Sequence, residues 1–418
     1  MSIVKSWQRC VAFGLLSTAS ISWGSNGLEP IAANVKATMR GGADIAVGDS
    51  PLSQIVNPAT MVLHNDALDF GGEMVLPRGR WTSPVDTAYS EYGFIPLGNL
   101  AFTKRLSDDI VFGTGFNSKA GVATQYTIHH ELFLPNTDWK DRADLFDGNI
   151  PFDLAFRLTD KLSIGVGGRV EIVTTRFNTV LGPASLNVER LWSVGGGFQF
   201  GSLYQANERL NFGFSFRSPT WLAPIDGGQA QLNVPTPIGL SNLSLGNASL
   251  NGTLPLRVGV GSSYQANDWL RLSLDLSYLN TSSSVLNHTN LNTNGFPLLG
   301  VPSALPFNLG YKDQVIVGTG ADIRLTQEVT FATGYNYGSS PVTNVGTIPL
   351  ASILAQHNVT FGVRYEKPRW WVGIGYLLGV TAAATNNGTT NLAEPNDFQN
   401  STLSQTQHSI LVGAGVRR

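Results

Sequence analysis

From Ala67 onward, apolar and polar residues alternate one by one in long segments separated by turn residues. Successive side chains of a strand point to opposite faces, so residues two apart share a face. Leu270, Leu272, Leu274, Leu276 and Tyr278 therefore fall on one side of a strand, with Arg271, Ser273, Asp275 and Ser277 on the other. The same period sets Leu210, Phe212, Phe214 and Phe216 against Asn211, Gly213, Ser215 and Arg217. It likewise sets Val359, Phe361, Val363 and Tyr365 against Asn358, Thr360, Gly362 and Arg364. Fourteen such segments can be counted, joined alternately by short and long connections. The short ones are Ser107-Asp108, Thr159-Asp160, Tyr204 to Glu208, Gln265 to Asp268, Thr326-Gln327 and Glu366 to Pro368. The long ones include Lys119 to Asn149, Pro219 to Asn251, Thr281 to Tyr311 and Thr381 to Ser404. Bacterial outer-membrane barrels show this rhythm: an even strand number, short periplasmic turns and longer outside loops.

A soluble β-sandwich also alternates, with its apolar face turned inward. Three features favour a membrane barrel. The segments are longer than the roughly 5–6 residues usual in globular strands and suit the roughly 9–11 that a tilted membrane strand needs. Aromatics gather near strand ends (Trp81, Trp192, Trp269, Tyr278, Tyr365, Trp370, Trp371, Tyr376), as interface girdles do. The polar face carries both charge signs and many glycines, which suits a lumen partly filled by protein.

Composition narrows the class further. Charged residues make up 13% of the chain, against roughly 25% in soluble domains. A mean hydropathy near zero is too polar for a helical membrane bundle. The formal net charge of -2 gives nucleic acid no basic surface to meet. Residues 1–25 read as a secretory signal, with Lys5 and Arg9, then apolar Cys10 to Leu16, then small residues. Its removal takes away the only cysteine, which suits an oxidising periplasm.

The inward charges Asp69, Glu73, Arg169, Glu171, Arg217, Arg271, Asp275, Asp322, Arg324 and Arg364 have two readings. They form a selective path, or they form an ion-pair network that holds a plug; the second is favoured.

Residues 26–65 do not alternate, so this stretch must sit inside the barrel, cover its mouth or dangle. Ala32 to Met39 can form a short helix, and Gly41-Gly42 and Asn57-Pro58 are turn chemistry. Here the chain resembles the FadL/TodX family of outer-membrane transporters of long-chain fatty acids and aromatic hydrocarbons. Gly41-Gly42-Ala43 followed by Asn57-Pro58-Ala59 is similar to that family's N-terminal hatch. Phe216-Arg217-Ser218-Pro219, Gly334 to Tyr337 with Ser340 to Val342, and His357 to Gly362 extend the similarity across the mature chain.

The resemblance implies a monomeric, all-β, 14-stranded antiparallel transmembrane β-barrel with an N-terminal hatch, organised as signal 1–25, hatch 26–65 and barrel 66–418. It implies passive uptake of a hydrophobic small molecule, caught by outward loops and released sideways into the membrane through a gap at a kinked third strand. That strand is read as Asp109 to Ser118, followed by a loop holding Tyr126, Leu132, Phe133, Leu134 and Trp139. Gly41, Gly42, Ala43, Asn57, Pro58 and Ala59 are the hatch and gating candidates. Phe133, Leu134, Trp139, Arg169, Arg217 and Arg324 are the ligand-binding candidates, the arginines in the basic role. A basic side chain in the pocket would favour fatty acids; an uncharged pocket would favour hydrocarbons. Outer-membrane lipid and lipopolysaccharide are the expected surroundings. The chain departs from the barrel pattern in ending Gly415 to Arg418 rather than on an aromatic residue.

Other chemistries find no support. His129-His130-Glu131 places adjacent histidines on opposite faces and matches no metal motif. No Gly-x-Ser-x-Gly elbow occurs and no nucleophile, His and acid cluster, so an enzyme is not expected. Neither cofactor nor metal is expected. A diffusion porin or structural adhesin barrel stays as the alternative, although a plug-length N-terminal segment has no purpose in an open porin.

Overall fold

The alternating segments close on themselves. A computed structural model describes residues 26, 29–84, 86–130, 137–181, 184–236, 239–287, 289–344, 346–351, 356–381, 383–387 and 398–418; the signal residues 1–25 lie outside this set. Fourteen antiparallel strands form the barrel. They are β1 (Ala67–Thr82), β2 (Ile95–Arg105), β3 (Ile110–His130), β4 (Thr137–Arg157), β5 (Leu162–Leu181), β6 (Ala184–Asn207) and β7 (Leu210–Arg217). The second half comprises β8 (Arg257–Asn267), β9 (Leu270–Leu279), β10 (Gln314–Arg324), β11 (Val329–Gly338), β12 (His357–Lys367), β13 (Trp370–Val380) and β14 (Ser401–Arg417). Each strand pairs with the next, and β14 returns to β1 from Ala67↔Arg417 to Thr82↔Thr402. Closure leaves no edge strand, whose backbone groups hydrocarbon would leave unsatisfied.

The faces settle the choice between sandwich and barrel. On β9, Leu272, Leu274 and Leu276 are exposed while Ser273, Asp275 and Ser277 are buried. A soluble sheet would do the reverse. Trp192, Trp269 and Trp370 point outward as expected of a girdle, but Trp81 and Trp371 turn inward and are buried. Strand parity explains this for the neighbours Trp370 and Trp371, which must face opposite sides. Trp371 donates its indole N–H to Asp69 inside the lumen.

The short connections all lie at one end, beside Asp66 and Arg418, whose backbone groups hydrogen-bond at 2.9 Å. The terminal residues do not overhang, since β14 stays paired to Arg417. At the other end, two expected loops are instead strand. The Lys119 to Asn149 stretch continues β3 and β4 upward, so Tyr126 and Trp139 sit on strands. Much of Pro219 to Asn251 is a hairpin of Ile225–Thr236 and Gly239–Leu250. Above the lipid band the outer face meets water, so apolar residues turn inward and the alternation loses its membrane sense.

The N-terminal segment lies within the lumen. It holds α1 (Val35–Met39) and two 3-10 helices, Pro51–Ile55 and Pro58–Leu63. Asn34 caps α1 by accepting from the Lys36 N–H, and Ser50 and Asn57 cap the 3-10 helices in the same way. Proline follows both of the latter caps, where its missing N–H costs nothing.

Candidate functional site

Three features converge inside the barrel: a tethered N-terminal segment, an interruption in the wall, and an apolar pocket under the outer loops.

The N-terminal segment is held by backbone fit and by charge. Gly41 adopts φ +69, and a Cβ there would come within 2.5 Å of the Tyr335 carbonyl oxygen on β11. The segment's backbone thus lies directly against the wall, where Gly41 donates its N–H to Thr360 and accepts from the Asn336 amide. Asp275 of β9 accepts from the Asp44 and Ile45 N–H groups at 2.7 and 2.9 Å. Asn57 donates to the carbonyls of Ile45 and of Ser202 on β6, while its own Oδ1 receives the Ala59 N–H. Pro58 and Ala59 press against Gly165 of β5.

Buried ion pairs complete the tether. Arg40, fully buried, meets Asp49 at 2.8 Å and Asp322 of β10 at 3.3 Å. Arg271 bridges Asp49 and Asp322, Arg364 joins Asp322 to Glu366, and Lys36 reaches Glu366 at 2.6 Å. Burial raises the Asp49 carboxyl, but Arg40 and Arg271 outweigh it and hold the group well below the usual carboxylate range. Burial pushes Asp44 up to about 6 against the pull of Arg40, and lowers His64 to about 4, with Arg417 adding to the shift. Asp69, Arg217, Arg271, Asp275, Asp322 and Arg364, read from sequence as lumen charges, therefore face the segment or its ion pairs. Arg169 instead pairs with Glu171, which also meets Lys119 on the wall, and Glu73 is buried beside Ser409. Arg324 is exposed at the turn end of β10, where its N–H donates to the Trp269 carbonyl.

The wall is interrupted beside β3. Main-chain pairing of β2 with β3 ends at Asn99↔Asn117, although β2 stays paired with β1 as far as Ile95. At the same level β3 bulges against β4, its register shifting between Ser118 and Ala120. A bulge inserts one residue and reverses which parity faces in. Below it Val111 and Asn117 face the lumen; above it Tyr126 and Ile128 do. The extra residue, Lys119, points inward and meets Glu171 at 2.6 Å and Asp147 at 3.1 Å. Side chains lace the opening. Asn99 accepts from the Ser118 N–H and donates to the Ala33 carbonyl, and the Ser118 hydroxyl bonds both backbone groups of Gly98.

The apolar pocket lies above this level. The upper parts of β4 and β5 contribute Ala143, Leu145, Val173, Thr175 and Phe177. Ile225 and Leu250 come from the outer hairpin; Val285, Leu286, Phe307, Leu309 and Tyr311 from the segment between β9 and β10; Leu350 from the Pro349–Ala351 turn. Phe177 and Phe307 pack with ring centroids 5.2 Å apart. Among the described residues, none that lines the pocket is charged. Two residues further along their strands stand Asp147 and Glu171, which with Lys119 put ion pairs beneath the apolar space.

Of the ligand-binding candidates read from sequence, none of the described ones lines this pocket. Phe133 and Leu134 lie outside the described residues. Trp139 packs in the surrounding apolar cluster without lining the pocket. Arg169 is engaged by Glu171 at 2.7 Å and by the Phe198 carbonyl. Arg217 pairs with Glu29, and both border a separate polar cavity with Lys119, Arg257 and Asp275. The residues that line this pocket carry no motif: they come from separate stretches of chain that only folding brings together.

A closed barrel, apolar outside and filled within, defines a transmembrane β-barrel whose lumen is occupied by its own N-terminal segment. The family model described as outer membrane protein transport protein (OMPP1/FadL/TodX) matches residues 32–367. The chain belongs to this family and is an outer-membrane transport protein, not an enzyme. Among solved structures it is similar to the toluene transporter TbuX of Ralstonia pickettii (21% identity, TM-score 0.71, covering 92% of this chain and 98% of that one). It is also similar to the toluene transporter TodX of Pseudomonas putida (17%, TM-score 0.76, 94% and 100%). A third is a FadL homologue of Pseudomonas aeruginosa (14%, TM-score 0.75, 94% and 99%). At these identities the likeness shows the fold alone. None of the curated proteins matches the chain.

Proposed function

We propose that this protein takes up small uncharged hydrophobic molecules, of the aromatic hydrocarbon class rather than fatty acids. The carrying observation is the pocket under the outer loops, lined among the described residues by aromatic and aliphatic side chains and Thr175, with no charged group. A carboxylate buried there would meet no cation, at a large desolvation cost. The arginines that could have met it are already paired with Glu171 and Glu29. Similarity in fold to two toluene transporters agrees with this reading.

In this account residues 26–65 act as a plug that closes the direct path to the periplasm, and the ligand leaves through the wall beside β3. An apolar molecule is favoured in lipid over water, and the ion pairs of Lys119, Asp147 and Glu171 make the way straight down unfavourable. The barrel completes its own wall, which suits a monomer surrounded by lipid and lipopolysaccharide. The test is uptake of labelled toluene and of a labelled long-chain fatty acid by cells that make the protein, against cells that do not. Toluene uptake should rise, and Leu145→Arg should abolish the rise while leaving the barrel folded. Stimulation of fatty-acid uptake alone would contradict the reading.

A further inference from the structure

Tyr311 stands out in the apolar pocket. It is 4% exposed, and the side-chain hydrogen bonds found for it among the described residues go to its backbone, none to its hydroxyl. Buried tyrosine hydroxyls usually find a partner, and leaving such a group unpaired is unfavourable. Burial alone shifts its phenol, which is pushed well above the usual range. The residue's position is nonetheless fixed. The Asn287 side chain accepts from the Tyr311 N–H at 2.7 Å and donates to the Tyr311 carbonyl at 2.5 Å. The same amide also holds the Ser282 carbonyl, and Gly310 supplies a left-handed turn just before it. A ring held at both backbone groups, with its polar tip unmatched in an apolar chamber, is prearranged for an external partner.

We propose that Tyr311 is a specificity-determining residue whose hydroxyl donates a hydrogen bond to one oxygen substituent on a small aromatic ligand. Beside the parent hydrocarbons, the pocket then also takes neutral monoaromatics bearing a single hydroxyl or carbonyl oxygen, with the ring held among Phe177, Phe307 and Leu286. A site that hydrogen-bonds one oxygen separates such a ligand from its methyl isostere, which a purely apolar pocket does poorly. This inference rests on the apolar pocket being the ligand site.

The experiment is equilibrium binding of labelled p-xylene and p-cresol, near-isosteres that differ by a methyl and a hydroxyl, to full-length mature protein in lipid nanodiscs. Partition into empty nanodiscs is subtracted. Tyr311→Phe should lower the affinity for p-cresol relative to p-xylene by about three- to tenfold, the worth of one neutral hydrogen bond, and leave p-xylene binding unchanged. The pocket's other hydroxyl is tested by Thr175→Val, which should leave the ratio as it is. An unaltered ratio in Tyr311→Phe, or a ratio that changes in Thr175→Val instead, would overturn the role of Tyr311. Failure of both ligands to bind the unsubstituted protein would overturn the pocket reading itself, and the inference with it.

Discussion

Asn99 ties the N-terminal segment to the edge of the wall gap: its Oδ1 accepts from the Ser118 N–H at 3.0 Å and its Nδ2 donates to the Ala33 carbonyl at 2.9 Å. One buried amide thus stands where β2 and β3 part company, touching both the element that fills the lumen and the strand that bulges. Replacing it by Asn99→Leu strands a buried donor on one side and a buried acceptor on the other, each costing about 1–3 kcal/mol. Hydrogen exchange should accelerate at Ser118 and around Ala33 together, with β8 to β12 unchanged. Acceleration at Ser118 alone would show that the two are not linked through this side chain.

Arg40 organises the charges around the segment, facing Asp44, Asp49 and Asp322. Arg40→Ala leaves buried Asp44 without its cation, while Asp49 and Asp322 keep Arg271 and Arg364; breaking a buried pair costs up to about 3–5 kcal/mol. The cost falls on docking of the segment, because the barrel strands keep their own hydrogen bonds. Proteolysis and hydrogen exchange should show α1 released, while circular dichroism shows the strand content unchanged. Purified Arg40→Ala protein in planar bilayers should also leak small ions; unchanged conductance would mean that the segment does not seal the lumen.

Two groups in the segment oppose each other in pH. His64 is lowered to about 4 by burial first and by Arg417 second, so in the packed state it is neutral where a free histidine would be charged. Its contribution is present above the ordinary value of about 6.5 and is lost as pH falls through that range toward 4. Asp44 is raised to about 6 by burial. Its contribution is complete below the ordinary carboxylate value and is lost as pH rises through about 6. Measured by exchange in α1, His64→Asn should leave a segment that tightens from pH 7 to 5, and Asp44→Asn one that loosens over the same range. Identical profiles in the two variants would contradict the assignment.

Strand content was legible because hydrocarbon outside and protein inside impose a strict two-residue period, as in Leu270 to Tyr278. The same rule failed where its cause ends. Above the lipid band, Tyr126 and Trp139 turn inward against other loops, so segments read as loops are paired strands. At Lys119 the bulge reverses parity; the only signal was a run of polar residues, Asn117-Ser118-Lys119, that breaks the alternation. The N-terminal segment was visible as a stretch without period, and Asn57 behaves as the turn residue that its proline neighbour implied. The pocket was not visible. Leu145, Phe177, Phe307 and Tyr311 are ordinary residues far apart in sequence, and charge drew attention instead to Arg169 and Arg217, whose partners are internal carboxylates.

Gly98 and Ser118 face each other across the gap, joined through the serine hydroxyl at 3.1 and 3.2 Å. Cys10 is the chain's only cysteine, and a Cβ at Gly98 would stand in open space, so a Gly98→Cys, Ser118→Cys pair is joined with a short bis-methanethiosulfonate linker, which fastens β2 to β3 where they separate through two reducible disulfides. Toluene uptake by cells making this double variant is the most direct measurement of the lateral route. Exit beside β3 predicts that uptake stops once the linker is attached and returns when a reductant releases it; uptake that continues unchanged in the linked form would contradict the lateral route.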